Sequence, residues 1–245
     1  MLKLLVIGAT SAIAHETIKH FAADGATLFL AGRSEDKLNI VRDDLLARGA
    51  AGVETFVIDM NDLDRHQALF DAALDYLGTL DALYMAHGTL GDQDESEASV
   101  EAMQRELTTN FISAAAFLTL AANHFEAQRR GSIAVISSVA GDRGRASNYV
   151  YGTAMAAKTA FLGGLRNRLA KAGVHVLTIK PGPVATPMTA HMKASPLLAD
   201  PGPVGETIYK AMKNERDILY VPGYWMLIMM IIRNIPERIF KRLNM

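Results

Sequence analysis

The chain has 245 residues, half of them apolar, with a formal charge of −1 and no cysteine. That length buries a large core as one α/β domain. The near-zero charge gives no reason to expect a nucleic-acid partner, and the lack of thiols excludes a disulfide framework, a thiolate metal site and a cysteine nucleophile. Met1-Leu2-Lys3 runs directly into Leu4-Leu5-Val6-Ile7-Gly8 with no small-residue cleavage site behind it. This reads as a first strand rather than a signal peptide, and points to a cytoplasmic chain.

Strand-like runs are expected at about 3–7, 27–31, 53–58, 82–86, 132–137, 175–180 and 218–221, with helical patterns between them. Each run is apolar on consecutive residues, as expected of strands covered on both faces. The reading is a single-domain, doubly wound parallel sheet of the Rossmann-like kind, whose ligands sit at the carboxyl ends of the strands.

After the first run comes Gly8-Ala9-Thr10-Ser11-Ala12-Ile13-Ala14. Small residues there let the backbone approach a pyrophosphate at the free N–H groups of a helix N-terminus; the plain alternative is an ordinary strand-to-helix turn. After the second run, Leu30-Ala31-Gly32-Arg33-Ser34 lacks the carboxylate that receives a ribose 2′-hydroxyl in NAD-binding folds. Arg33 is placed to pair with a 2′-phosphate instead, so NADPH is expected over NADH. The alternative is a solvated Arg33 beside the helix cap Ser34, with Glu35 or Asp36 reaching the ribose. Asp59 closes the third run, and Met85-Ala86-His87-Gly88 follows the fourth. Asn110 falls mid-helix, a poor place for Asn on propensity and so a functional suspect. Ser137-Ser138 ends the fifth run, Tyr151 starts a helix thirteen residues after Ser138, and Lys180-Pro181-Gly182-Pro183-Val184-Ala185-Thr186 follows the sixth.

In this order the segments resemble the short-chain dehydrogenase/reductase family over about residues 4–190. Ile7 stands at the family's Thr, Ala12 and Ala14 stand at its second and third glycines, and only Gly88 survives of its Asn-Asn-Ala-Gly. The resemblance implies a nicotinamide cofactor held by Gly8, Thr10, Ser11, Ala12, Ile13, Arg33, Asp59, Ala86, Gly88, Pro181, Gly182, Val184 and Thr186. Asp59 would accept from the adenine amino group, although a helix N-cap is an equal reading. Val184 and Thr186 would contact the carboxamide. Ser138 would orient a carbonyl oxygen, Tyr151 would donate a proton to it as hydride arrives, and Asn110 would hold the water relay behind them. His87 would either face the cofactor or serve as a hydrogen-bonded structural histidine.

One position breaks the pattern. The family lysine four residues after the tyrosine holds the nicotinamide ribose and lowers the tyrosine pKa from its usual value of about 10; here Met155 stands in its place. Lys158 is the candidate replacement, roughly 60° round the helix from position 155, with a stem pointing back toward the helix N-terminus. Otherwise Lys158 is a solvated or interface lysine, and the chain is a cofactor-binding protein with weakened or no turnover.

Ser147-Asn148-Tyr149-Val150-Tyr151-Gly152, Thr186-Pro187-Met188-Thr189-Ala190-His191-Met192, Gly88-Thr89-Leu90-Gly91-Asp92-Gln93 and the basic, apolar C-terminus resemble reductases of lipid-linked keto-sugars of the decaprenylphosphoryl-2-keto-arabinose type. The implied substrate is a small-molecule or lipid-linked carbonyl. Residues of about 188–203 are expected to form a substrate lid, since the stretch is too long for a bare connection. Family members assemble through two long helices, here rich in small residues at about 114–122 and 154–164, so a homodimer or homotetramer is implied. A catalytic domain of 1–222 is expected to be followed by a basic amphipathic C-terminal tail of 223–245. Its apolar run with Tyr224 and Trp225 is too short to span a bilayer, which needs about 20 residues. With Arg233, Arg238, Lys241 and Arg242 behind it, the tail would lie in a headgroup region, or pack on a partner subunit.

Overall fold

A computed structural model describes residues 1–190 and 195–243. Seven parallel strands form one sheet: β1 (Lys3–Ile7), β2 (Thr27–Gly32), β3 (Gly52–Val57), β4 (Ala82–Met85), β5 (Gly131–Ile136), β6 (Val174–Pro181) and β7 (Ile218–Val221), in the order β3-β2-β1-β4-β5-β6-β7. Leu5 and Ile7 of β1 join Phe117 and Leu162 in a core on one face of the sheet, while Leu4 and Val6 join Ile18 and Ile208 on the other. A strand with a core on both sides has no polar face, which is why β1 reads as an unbroken apolar run. The two edge strands depart from that expectation. Glu54 and Val57 of β3 and Ile218 of β7 are exposed, because an edge strand is only partly covered.

The helices are α1 (Ala12–Ala23), α2 (Glu35–Ala47), α3 (His66–Leu77), α4 (Gln93–Ala98), α5 (Val100–Leu107), α6 (Ser113–Gln128), α7 (Tyr149–Ala170), α8 (Pro201–Lys213), α9 (Tyr224–Asn234) and α10 (Glu237–Phe240). The strand order reverses between β1 and β4, and the crevice at their carboxyl ends is where a doubly wound sheet binds its ligand. Of the small residues at 114–122, Ala114, Ala121 and Ala122 are core of this chain. In α7, by contrast, Thr153, Ala156, Ala160 and Gly164 are exposed.

The stretch expected as a substrate lid, about 188–203, is described in part. Ala199 is pinned by backbone bonds to Pro183 and Ala185, and α8 begins at Pro201 under an Asp200 cap that accepts from the Gly202 N–H at 2.7 Å. Residues 191–194 lie outside the described residues. The tail packs on the rest of the fold. Trp225, Met229 and Ile232 of α9 are buried with Val139 and Phe240 in a third apolar cluster. Arg143 fastens it, donating to the carbonyls of Ile232 at 2.6 Å and Ile235 at 2.7 Å, pairing with Glu237 at 2.9 Å and lying over the Phe240 ring at 3.7 Å. Trp225 therefore points into the fold instead of anchoring in an interface. Among the described residues no helix is long and apolar enough to cross a membrane.

Candidate active site

A cavity of about 640 Å³ opens at the carboxyl ends of the strands. Beside it the β1 turn is set by Gly8, whose φ is +78° and whose missing Cβ would stand 2.6 Å from the His87 backbone nitrogen. Only glycine lets the β1 turn lie against the β4 turn. The first intrahelical bond into α1 runs from His15 to the Ser11 carbonyl, so the N–H groups of Ala12, Ile13 and Ala14 have no helical acceptor. The Ser11 side chain makes no capping bond. This is a cradle open to an anionic group, and it fits a nicotinamide dinucleotide even with alanines at positions 12 and 14. Ser11, Ile13, Ala86, Gly88, Pro181, Gly182, Val184 and Thr186 line the cavity. Gly8, Thr10, Ala12, Arg33 and Asp59 fall outside its lining, with Arg33 and Asp59 exposed on the β2 and β3 side. Asp59 is not a helix cap: its carboxylate accepts from the Asn61 N–H at 2.9 Å within a turn. Ser34 does cap α2, accepting from Lys37.

Asn110 sits in a π-helical segment, Thr108–Ile112, between α5 and α6. Such a bulge inside a helix is frequent at functional sites, and here it resolves the anomaly of a mid-helix Asn. Its Oδ1 accepts from the Thr89 N–H at 3.0 Å, and its Nδ2 donates to Glu106 Oε1 at 2.6 Å. Glu106 Oε2 in turn accepts from the Thr89 hydroxyl at 2.9 Å. The Asn110 amide is thus engaged at both ends, and its side chain clamps the 88–91 loop. Glu106 and Thr89 are site residues that sequence reasoning missed. The signal was the spacing of Ala102, Glu106 and Asn110, four apart and all buried, which puts a carboxylate on the inward helix face. Burial raises the Glu106 carboxyl above its ordinary pKa.

His87 is hydrogen-bonded, but only on one side. Ser113 donates its hydroxyl to the Thr109 carbonyl at 2.8 Å, so it accepts from His87 Nε2 at 3.0 Å. Nδ1 is then a bare acceptor, with no partner among the described residues. Burial, with Lys158 adding to it, pushes His87 down to about 3.

The geometry separates the two serines. Ser137 is buried, bonded to the Met155 carbonyl at 3.1 Å and to Thr159 at 2.8 Å, and so belongs to the packing of α7. Ser138 lines the cavity with Tyr151. Burial pushes the Tyr151 phenol up to about 12; a hydrogen bond with Ser138 opposes the rise, and the Glu106 charge adds to it. Met155 also lines the cavity. Lys158 is neither solvated nor at a surface. It is 2 % exposed, lines the same cavity, and has as its protein partner the Ile136 carbonyl, at 3.4 Å. Burial pulls its ammonium down to about 8, and the Glu106 charge acts against that fall.

A sequence profile of the short chain dehydrogenase family matches residues 3–196. The chain is 32 % identical over 240 residues to an uncharacterized oxidoreductase of Mycobacterium tuberculosis, covering 98 % of this chain and 96 % of that one. It is 34 % identical over 241 residues to an uncharacterized oxidoreductase of Streptomyces coelicolor, covering 98 % and 95 %. Among solved structures, the fold is similar to that of a short-chain type dehydrogenase/reductase from Mycobacterium ulcerans, with a TM-score of 0.82 and 21 % identity over 99 % of this chain and 98 % of that one. It is also similar to an actinorhodin polyketide ketoreductase with NADPH, with a TM-score of 0.80 and 22 % identity over 91 % and 97 %.

Proposed function

This chain belongs to the short-chain dehydrogenase family and is an NAD(P)-dependent oxidoreductase; from that premise we propose that it works as an NADPH-dependent carbonyl reductase in which Lys158 takes over from the lysine missing at Met155. The observation that carries the reading is that Ser138, Tyr151 and the buried Lys158 line one cavity at the carboxyl ends of the strands. When bound, the cofactor supplies a hydride from C4 of its nicotinamide. Ser138 orients the carbonyl oxygen, and Tyr151 gives its proton to that oxygen as negative charge develops there. At neutral pH a phenol with a pKa of about 12 is almost wholly protonated, which suits donation and disfavours the reverse role of base. Lys158, at about 8, is the stronger acid, so transfer of its proton to the phenolate is downhill. In this reading Tyr151 protonates the carbonyl oxygen, and Lys158, on the same cavity, replenishes the Tyr151 proton.

For the cofactor, the lack of a carboxylate after β2 and the exposed Arg33 support NADPH. A charge-assisted contact is worth roughly 1.5–3 kcal/mol, about tenfold or more in affinity. Arg33→Ala should therefore weaken NADPH binding by that factor and leave NADH nearly unchanged; equal losses for both would remove the preference.

For the substrate, we extend the reading to a carbonyl carried on an amphiphile such as a lipid-linked keto-sugar. The support is α9, whose inner face abuts the cavity through Trp225 and whose outer face exposes Met226, Leu227, Met230 and Ile231. The exposed cation Arg233 stands in its last turn, and Arg238, Lys241 and Arg242, also exposed, follow it. Such a surface suits an anionic bilayer. An isologous contact between two copies would instead set the same cations against each other. The test is flotation with phosphatidylglycerol-containing vesicles. The wild type should float, and Leu227→Glu with Ile231→Glu should remain in solution with an unchanged Tm. Equal behaviour of the two would remove the membrane contact.

A further inference from the structure

Arg143 and Arg145 lie two residues apart and are used very differently. Arg143 is spent on structure, with carbonyl, carboxylate and aromatic partners at close range. Arg145 lines the cavity, yet among the described residues its only hydrogen-bond partners are the Val139 carbonyl at 3.5 Å and the Met229 sulfur at 3.8 Å. Both contacts are at the limit of a hydrogen bond. Its Nε is buried with no acceptor among the described residues. No carboxylate there forms a salt bridge with it. The neighbouring Asp142 is committed to Lys180 at 2.5 Å and Tyr220 at 2.7 Å. Of the cavity's own acids, Glu106 is held by Thr89 and Asn110, Asp92 caps α4, and Asp94 is exposed.

A second unspent donor stands in the same cavity. Trp225 is 6 % exposed, and its indole N–H has no acceptor among the described residues. The indole lies so close over Gly182 that a Cβ there would overlap it, so the ring is fixed against the nicotinamide turn. Buried donors without acceptors cost free energy unless something completes them. A guanidinium and an indole N–H on one cavity wall are donors for an oxyanion, since arginine matches the geometry of carboxylate and phosphate oxygens.

We propose that Arg145, with Trp225, forms an anion subsite in the substrate end of the cavity, so that the physiological carbonyl substrate carries a phosphate or carboxylate group. This deepens the reductase reading and rests on it for the word substrate; the subsite itself does not need turnover. Asn148 Oδ1, a cavity-lining acceptor that is likewise unpartnered among the described residues, would receive a hydroxyl near that anion. The subsite is distinct from Arg33, which would serve the cofactor from outside the cavity.

Trp225 is the only tryptophan of the chain and reports on the subsite directly. The experiment titrates dimethyl phosphate, acetate and the neutral dimethyl sulfone into the full-length protein saturated with NADP+, following tryptophan fluorescence. One or both anions should give a saturable change that the neutral probe does not. Arg145→Met should weaken it by about tenfold or more, Arg145→Lys should restore part of it, and Arg33→Ala should leave it unchanged. A preference for dimethyl phosphate would assign a phosphodiester and a preference for acetate a carboxylate, each supporting the subsite. No saturable response in the wild type, or equal affinity in Arg145→Met, would overturn it. Saturable binding that depends on Arg145, in a protein that reduces no carbonyl, would uphold the subsite and remove the reductase reading instead.

Discussion

Gly8→Ala is expected to destabilise the protein by on the order of 3 kcal/mol, lowering Tm by roughly 6–12 °C for a chain of this size. Two effects add. A φ of +78° is a region that residues with a Cβ rarely adopt, and the new methyl carbon would stand 2.6 Å from the His87 nitrogen and 2.7 Å from its Cα. Those are backbone atoms at the head of the β4 turn, which cannot rotate away as a side-chain tip would. Gly25→Ala is the internal control. Its φ is +77°, but nothing lies within 4 Å of the added carbon, so only the conformational cost of about 1 kcal/mol applies. Thermal melts of the two variants separate close approach from backbone preference. Equal shifts in Tm would show that the contact between the β1 and β4 turns contributes nothing. NADPH binding should also fall in Gly8→Ala alone, because the same displacement moves the N-terminus of α1.

Much of the fold was legible because its central strands carry no polar face. Leu4 to Ile7, for example, serve both cores, and consecutive apolar residues are a signal that does not depend on exact boundaries. The edge strands and the tail were less legible for the same reason in reverse. Glu54 looks out of place until β3 is known to be at the edge. Trp225 reads as an interfacial anchor until Arg143, bonded to Ile232 from 89 residues earlier, is seen to hold α9 down. No local pattern reports a contact between residues that far apart.

The site divides along the same line. Ser138, Tyr151 and Asn110 lie in short motifs, and the structure places them on one cavity. The role of Asn110, however, depends on Glu106 and Thr89, whose hydrogen bonds span two elements. Lys158 was a matter of azimuth in the sequence. A helix places the residue three positions on roughly 60° away, and whether that direction meets solvent or β5 is decided by what packs there. The Ile136 carbonyl and the cavity do.

The central claim is that Lys158 supplies what Met155 lacks. Single-turnover reduction of phenanthrenequinone by NADPH, followed across pH, tests it most directly in the wild type, Lys158→Met, Met155→Lys and Tyr151→Phe. Methionine at 158 keeps the volume and removes the charge, so folding and NADPH affinity should persist. Because the Lys158 ammonium is pulled down to about 8, it is protonated below that pH and loses its charge above it. The wild-type rate should therefore fall as pH rises through about 8. Lys158→Met should be slower by about a hundredfold at neutral pH, within the range of general acid–base catalysis, and should lack the limb near 8. Tyr151→Phe should be slower still. A Lys158→Met enzyme with the wild-type rate and the wild-type pH profile, or a large gain from Met155→Lys alone, would contradict the account and show a site whose lysine was lost without replacement.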